Sequence, residues 1–290
     1  MLVDPETLAL AAGVERLLPE EGLKTELFSC LVETNTPVCE TAFEALEELR
    51  RLRRLVLERA EAEGLTVAAA GSHPFSNPRE QRIVDEPRYV KMVEELGPLA
   101  KGQLVCGLHV HVGMESFDEC LGTLARIRAW LPHVLDVSAN SPYLAGEETG
   151  RLSSRLGRLH ELPRSGPPPQ LSTVADWEAA VAEAGVDYTR IWWDARPHPR
   201  LGTLEVRIAD QPTSVERSAA LAALVQALCA APPEHGPELL DAVRPGAGEL
   251  GTRELVETLR EPVEALRQLD VGRAEGLEAV TADLVRRSRP

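Results

Sequence analysis

Gly107-Leu108-His109-Val110-His111-Val112-Gly113 is the stretch whose reading decides the fold. Side chains of a strand alternate between faces, so His109 and His111 share one face while Val110 and Val112 share the other. Two neighbouring imidazoles are costly to bury without partners, and metals, phosphates or carboxylates are the usual ones. Gly202-Thr203-Leu204-Glu205-Val206-Arg207-Ile208 repeats the design, with Glu205 and Arg207 on one face and Leu204, Val206 and Ile208 on the other. Two such strands predict a sheet that is core on one side and chemistry on the other. Strands with two distinct faces favour an antiparallel α+β sheet over a buried parallel one.

The composition narrows the partners. The chain has 290 residues, 43% of them apolar, with 31 Lys and Arg against 46 Asp and Glu and a net charge of −15. That length suits one large domain or two small ones. The acidic balance argues against nucleic acid or an anionic membrane as partner. It leaves open an anionic small substrate, because a local cluster of arginine and metal overrides the global sign. Cys30, Cys39, Cys106, Cys120 and Cys229 are odd in number and lack C-x-x-C spacing, so neither a disulfide framework nor a zinc ribbon is indicated. Reduced thiols in the cytosol are the expectation. No apolar run approaches the roughly 18 residues of a membrane span, and no signal-peptide pattern opens the chain, so a cytoplasmic protein is expected.

Working outward, 24–34 reads as one strand ending in Glu33-Thr34-Asn35-Thr36-Pro37. Thr41 with Glu44 forms a capping box for a long helix that carries the stripe Leu46, Leu49, Val56 and Ala60 and stops at Gly64. Its Arg-rich segment 50–54 reads as a solvated face flanked by Glu47, Glu48 and Glu58. A strand over 65–70 runs into the loop Gly71-Ser72-His73-Pro74-Phe75-Ser76. A helix over 87–97 precedes a strand over 103–112. Ser116 with Glu119 opens a helix to Trp130. Residues 140–172 read as loop, followed by a helix over 173–184. Strands over 188–194 and 203–209 are joined by Arg196-Pro197-His198-Pro199-Arg200. Thr213 and Glu216 cap a helix through Ala230, and Pro232 to Gly251 is Pro/Gly-rich. Amphipathic helices are expected over 252–268 and 273–287. The division that follows is a unit over 1–231 with a divergent helical segment, 232–290, belonging to the same domain.

No G-x-x-x-x-G-K-[ST] loop, G-x-G-x-x-G turn or G-x-S-x-G elbow occurs. What remains is a set of polar residues at strand ends and in adjoining loops: Glu33, His73, His109, His111, Arg155, Asp194, Arg196, Glu205 and Arg207. Carboxylates with one or two imidazoles suit Mg²⁺ or Mn²⁺ better than zinc, since hard cations prefer oxygen. Arginines beside such a metal suit phosphate or carboxylate, which they bind bidentately. Spacing alone thus points to a metal-dependent enzyme acting on an anionic substrate. The plainer readings are that the histidines are structural and that Glu205 and Arg207 form cross-strand ion pairs. Trp192 and Trp193 read as packing residues, and His133, His160 and His235 as surface residues.

Seven segments in order then resemble a known family: Glu33-Thr34-Asn35-Thr36-Pro37-Val38-Cys39; Gly71-Ser72-His73-Pro74-Phe75; the segment 107–113; Asn140-Ser141-Pro142-Tyr143; Thr149-Gly150 with Ser153 and Arg155; Trp193-Asp194-Ala195-Arg196-Pro197; and Gly202-Thr203-Leu204-Glu205-Val206-Arg207. Together, over roughly residues 2–230, they resemble the type 2 glutamate–cysteine ligases, also called YbdK-type carboxylate–amine ligases. The resemblance implies a glutamine-synthetase-like, curved, mainly antiparallel sheet with helices on its outer face and ATP, divalent metal and substrate on its concave face. It implies that ATP phosphorylates the side-chain carboxylate of glutamate and that the amine of cysteine attacks the acyl phosphate. Phosphoryl transfer is mostly positioning and charge neutralisation, which suits these residues. By resemblance, Glu33, His109 and Glu205 are the metal-ligand candidates, and Arg196 and Arg207 the catalytic ones. Thr36, His73, His111, Arg155 and Asp194 would meet substrate or ATP. A possible homodimer is left open, as is the amine.

Two departures accompany the resemblance. The family has a strand close to G-V-E-E-E-F just before L-V-D-P, and its glutamates bind metal; here Met1 directly precedes Leu2-Val3-Asp4-Pro5. The family also follows the helix at 213–230 with a segment rich in Asn, Trp, Arg and Tyr, which Pro232-Pro233-Glu234-His235-Gly236 does not match. The expectation is therefore a ligase, with a non-catalytic relative that keeps a nucleotide- or glutamate-binding face as the alternative. A metal-dependent hydrolase using the His-x-His pair is a third reading, with His73 and Asp194 as its further ligands.

Overall fold

The two quoted strands pair. In the computed structural model, which describes residues 1–233 and 238–290, the strands are β1 (Leu2–Val3), β2 (Leu23–Thr25), β3 (Val32–Thr34), β4 (Thr66–Val67), β5 (Val110–Gly113), β6 (Tyr143–Leu144), β7 (Glu147–Glu148), β8 (Ser165–Gly166), β9 (Trp192–Trp193), β10 (Ala195–His198) and β11 (Thr203–Val206). β11 lies between β10 and β5 and runs antiparallel to both. The others pair two by two, β1 with β4, β2 with β3 and β6 with β7 antiparallel, and β8 with β9 parallel. The mixed α+β class is as read from the sequence, with the strands in small sheets. His235 lies outside the described residues.

Helices follow the capping chemistry. Thr41, Ser116 and Thr173 accept from the backbone N–H three residues on and open α1 (Ala42–Ala62), α4 (Phe117–Ile127) and α7 (Val174–Ala184). Between them stand α2 (Pro87–Leu96), α3 (Pro98–Lys101), α5 (Leu131–Ser138) and α6 (Ser154–Leu159). α8 (Val215–Ala230) is apolar on nearly every side, which puts it at the centre of the molecule. Leu204, Val206 and Ile208, the apolar face of the quoted strand, are buried against Leu221, Leu224 and Leu228 of α8 and Leu121 and Leu124 of α4. Each such leucine stabilises the fold by roughly 1.5–3 kcal/mol. A second core joins Leu2, Val3 and Phe28 to Leu52 and Val56 of α1.

Several boundaries differ from the sequence reading. Residues 24–34 form two strands, β2 and β3, which pair with each other through Lys24↔Glu33. The predicted strand over 188–194 is a helical turn (Tyr188–Arg190) and the short β9, while the assumed connector Arg196-Pro197-His198 is itself strand β10. Proline is allowed there because β10 is an edge strand. The cap of α8 is Ser214, not Thr213. The helix expected over 252–268 breaks at Pro262 into α11 (Arg253–Glu257) and α12 (Glu264–Glu275), after the short α9 (Leu239–Ala242) and α10 (Arg244–Glu249); α13 (Leu277–Arg287) ends the chain. Arg50 and Arg51 pair with Glu47 and Glu48 on the solvated face as read. Arg53 does not: it is drawn inward and donates to Thr213 O (3.0 Å) and Ser288 O (2.9 Å). Glu264 accepts from Thr213 N at 2.9 Å, so α12 and α13 are tied to the start of α8.

Candidate functional site

The register of the three-stranded sheet assembles the site. Glu205 stands opposite Arg196 on one side and His111 on the other. Two residues away, Thr203 stands between His198 and Gly113. Period two therefore puts Arg196, His198, Thr203, Glu205, His109 and His111 on one face, with Leu204 and Val206 behind it. Past β11 the ladder slips. Three residues, 207–209, lie between the pairs Val206↔Val110 and Asp210↔Gly107, against two, 108–109, on the other strand. This is a β-bulge, which re-aims a side chain and leaves ladder groups unpaired.

Arg155 satisfies the bulge. Its guanidinium is buried and donates to Ile208 O and Arg207 O, each at 3.0 Å. It lies where a side chain on Gly107 would be: a Cβ there would come within 2.0 Å of its Nη2. Asp210, fully buried, anchors the same region by accepting from Asn140 N (2.8 Å), Ser141 Oγ (2.6 Å) and Ser153 Oγ (2.8 Å). The Asn-Ser-Pro-Tyr and Ser-x-Arg segments are thus braces of the bulge. Arg155, expected to meet substrate, is a structural residue whose donors are spent on backbone.

Glu205 is 3% exposed and carries both arginines. Arg196 Nε donates to Oε2 at 2.7 Å, and Arg207 Nη1 donates to Oε1. The same Oε1 is 3.5 Å from His109 Nδ1 and 3.8 Å from His111 Nε2. Burial opposes the charge on Glu205, but Arg207, His109 and Arg196 outweigh it and hold the carboxyl far below its usual range. The surroundings of the His109 nitrogens and the Arg207 guanidinium push that imidazole well below its ordinary value, although 39% of its side chain is exposed. His111 is lowered too, by burial and by His198, against the pull of Glu205. At neutral pH the face holds two guanidinium charges, one carboxylate and two neutral imidazoles. It is locally cationic inside an acidic protein, so it attracts anions.

Arg196 Nη1 faces three backbone carbonyls, those of Tyr188 (2.9 Å), Thr189 (3.0 Å) and Ile191 (2.5 Å). Arg207 Nε is buried with no hydrogen-bond partner among the described residues. An unsatisfied buried donor costs about 1–3 kcal/mol. That donor next to a net positive cluster suits a carboxylate or phosphate oxygen.

The remaining candidates disperse. His73 is buried; its Nε2 lies 3.0 Å from Leu8 O, and its Nδ1 accepts from Ser76 N at 3.1 Å, so it is a loop fastener. Burial pushes its pKa down to about 4. The unfolded chain protonates it near pH 6.5 and the folded chain only near 4, so acid favours unfolding inside that window. Stability is expected to fall from pH 6.5 to 4, and less steeply in His73→Gln; equal slopes in urea titrations of the two proteins would refute this. Asp194 is buried and lies 2.7 Å from Nε2 of His160, a residue read as surface. Its carbonyl also accepts from Arg207 N at 2.8 Å. Thr36 is exposed in the loop after β3. Glu33 accepts from Asn35 Nδ2 at 2.9 Å and neighbours the half-buried Glu26, whose carboxyl is raised by desolvation and by Glu33. Of the metal candidates, His109 and Glu205 lie together at 3.5 Å, while Glu33 is paired with Asn35 on β3; among the described residues no three His, Cys, Asp or Glu side chains are placed to hold an ion. The residues missed in sequence, His198 and Thr203, stand two positions from Arg196 and Glu205, so the period that found the others reaches them. Thr203 Oγ1 is 2.9 Å from His111 Nδ1.

Residues 3–268 match the family described as glutamate–cysteine ligase family 2 (GCS2). A Rubrobacter xylanophilus protein named "Putative glutamate--cysteine ligase 2-1" is 40% identical over 240 residues, covering 79% of this chain and 64% of that one. A Herpetosiphon aurantiacus protein named "Putative glutamate--cysteine ligase 2" is 38% identical over 238 residues, covering 78% and 62%. The chain thus spans under two thirds of the length of these relatives. No helix among the described residues is long and apolar enough to cross a membrane. The chain belongs to the glutamate–cysteine ligase family 2.

Proposed function

We propose, from that membership, that the protein is an ATP-dependent carboxylate–amine ligase joining the side-chain carboxylate of glutamate to the amine of cysteine or a similar amine. The single observation that carries the reading is the buried, unpartnered Arg207 Nε beside Glu205 on a cationic sheet face. An acyl phosphate accumulates negative charge as it forms, and fixed donors that need no reorganisation lower that barrier. Arg207 supplies the free donor. Arg196, through Glu205, fixes the height of Arg207, and the neutral imidazoles of His109 and His111 are available to accept or donate a proton at their ring nitrogens. The glutamine-synthetase-like curved surface belongs to the same proposal, with β10–β11–β5 at its centre.

Magnesium fits this face poorly, because both oxygens of Glu205 already receive guanidinium donors. A Mg²⁺ needed for ATP would come with the nucleotide phosphates, as that ion commonly does.

The expected result is that ADP release from ATP and Mg²⁺ rises at least about tenfold when glutamate and cysteine are both added, tenfold being about 1.4 kcal/mol of barrier. Release that ignores glutamate would point to another substrate class. Saturable binding of ATP or glutamate without any turnover would establish the non-catalytic alternative.

A further inference from the structure

A cavity of about 480 Å³ lies between the end of α5, the segment 151–153 and α6. Its volume lies in the range that holds small ligands. One wall is apolar: Leu135 and Leu156 are half-buried and Leu152 is 38% exposed. The polar lining carries both signs. Arg151 has no carboxylate partner among the described residues, and its guanidinium lies along α6 over Gly157, where a Cβ would come within 2.8 Å of Nη1. Asp136 has only a distant neighbour, His133 at 3.8 Å, and Glu161 is held by Arg158 at 3.1 Å. Arg151 and Asp136, both exposed, thus line one cavity with no ion pair between them, beside an apolar wall.

We propose that this cavity binds a free α-amino acid with an apolar side chain. The carboxylate goes to Arg151, the ammonium to Asp136, and the side chain to Leu135, Leu152 and Leu156. A zwitterion is the ligand class that answers both unpaired charges at once, and the leucines exclude a second charged end. The site is separate from the glutamate face, and nothing in the argument depends on ligase activity. It has a structural connection to that face. His160 lines the cavity and holds Asp194, whose carbonyl supports Arg207.

The test is calorimetric titration of the full chain with L-leucine in the absence of nucleotide. Saturable one-to-one binding is expected. Arg151→Gln should weaken it at least about tenfold, the loss of one charge-assisted contact. Isoamylamine, which lacks the carboxylate, and 4-methylpentanoate, which lacks the ammonium, should each bind at least about tenfold more weakly than leucine, by the same count. Arg151 is exposed, so an unchanged melting temperature is the control that the variant folds. No binding of leucine to the wild-type chain, equal binding to Arg151→Gln, or equal binding of 4-methylpentanoate would each overturn the proposal. Because the readout is heat of binding, its failure and a failure of ligase turnover are distinguishable.

Discussion

Glu205→Gln is expected to destabilise the folded protein by about 3 kcal/mol at pH 7, as breaking a buried ion-pair network does when the partner charges stay buried. Glutamine keeps the shape but leaves Arg196 and Arg207, 5% and 8% exposed, facing each other without a counter-charge. Spacing alone suggests the opposite result. A carboxylate waiting for a metal repels its neighbours, and neutralising it should leave the apo protein unchanged or firmer. The geometry reverses that sign because the neighbours of Glu205 are guanidinium groups. The pH dependence follows. A carboxyl held below its unfolded value contributes stability that is present above pH about 4.5 and is lost as pH falls toward the folded value. Urea titrations of both proteins check it. The gap between wild type and variant should be full near pH 7 and narrow below pH 4. A variant as stable as wild type at pH 7 would return Glu205 to the role of a metal ligand awaiting its ion.

Gly107→Ala is the second large effect, expected to cost about 3 kcal/mol by overpacking. The new methyl would press on a guanidinium that is pinned by two carbonyls and cannot yield. Arg155 would leave the bulge, and Arg207 would lose the backbone geometry that aims it. ATP turnover should fall with stability. Gly113→Ala on the same strand is the control, since a Cβ there meets nothing within 4 Å; its change should stay within about 0.5 kcal/mol. Equal tolerance of alanine at both positions would show that the bulge is not braced through Arg155.

What period two could reach, it reached. The alternation of His109, His111, Glu205 and Arg207 with valine, leucine and isoleucine needs no tertiary information, because the pleat alone sends the two sets to opposite faces. The caps at Thr41 and Ser116 were equally legible, since each is a contact across three residues. Boundaries were less so. Arg196-Pro197-His198 reads as a connector because proline and charge usually leave sheets, yet an edge strand with one loaded face admits both.

Roles were decided by the tertiary structure. A carboxylate and two arginines look the same in sequence whether they await a metal or neutralise one another, since the choice depends on side-chain distances that spacing does not give, Arg196 reaching Glu205 from the paired strand and Arg207 from two residues along its own. Arg155 and His73 carry the residue types of a binding site, but packing buried them and turned their donors and acceptors to backbone. His160 is exposed, as read, and what the fold added is Asp194 at its ring. The chain by itself determined which side chains face together and which face the core, because that is local geometry. Only the tertiary structure decided which of them are free to act. Burial and pairing are properties of neighbours, and the neighbours come from elsewhere in the chain.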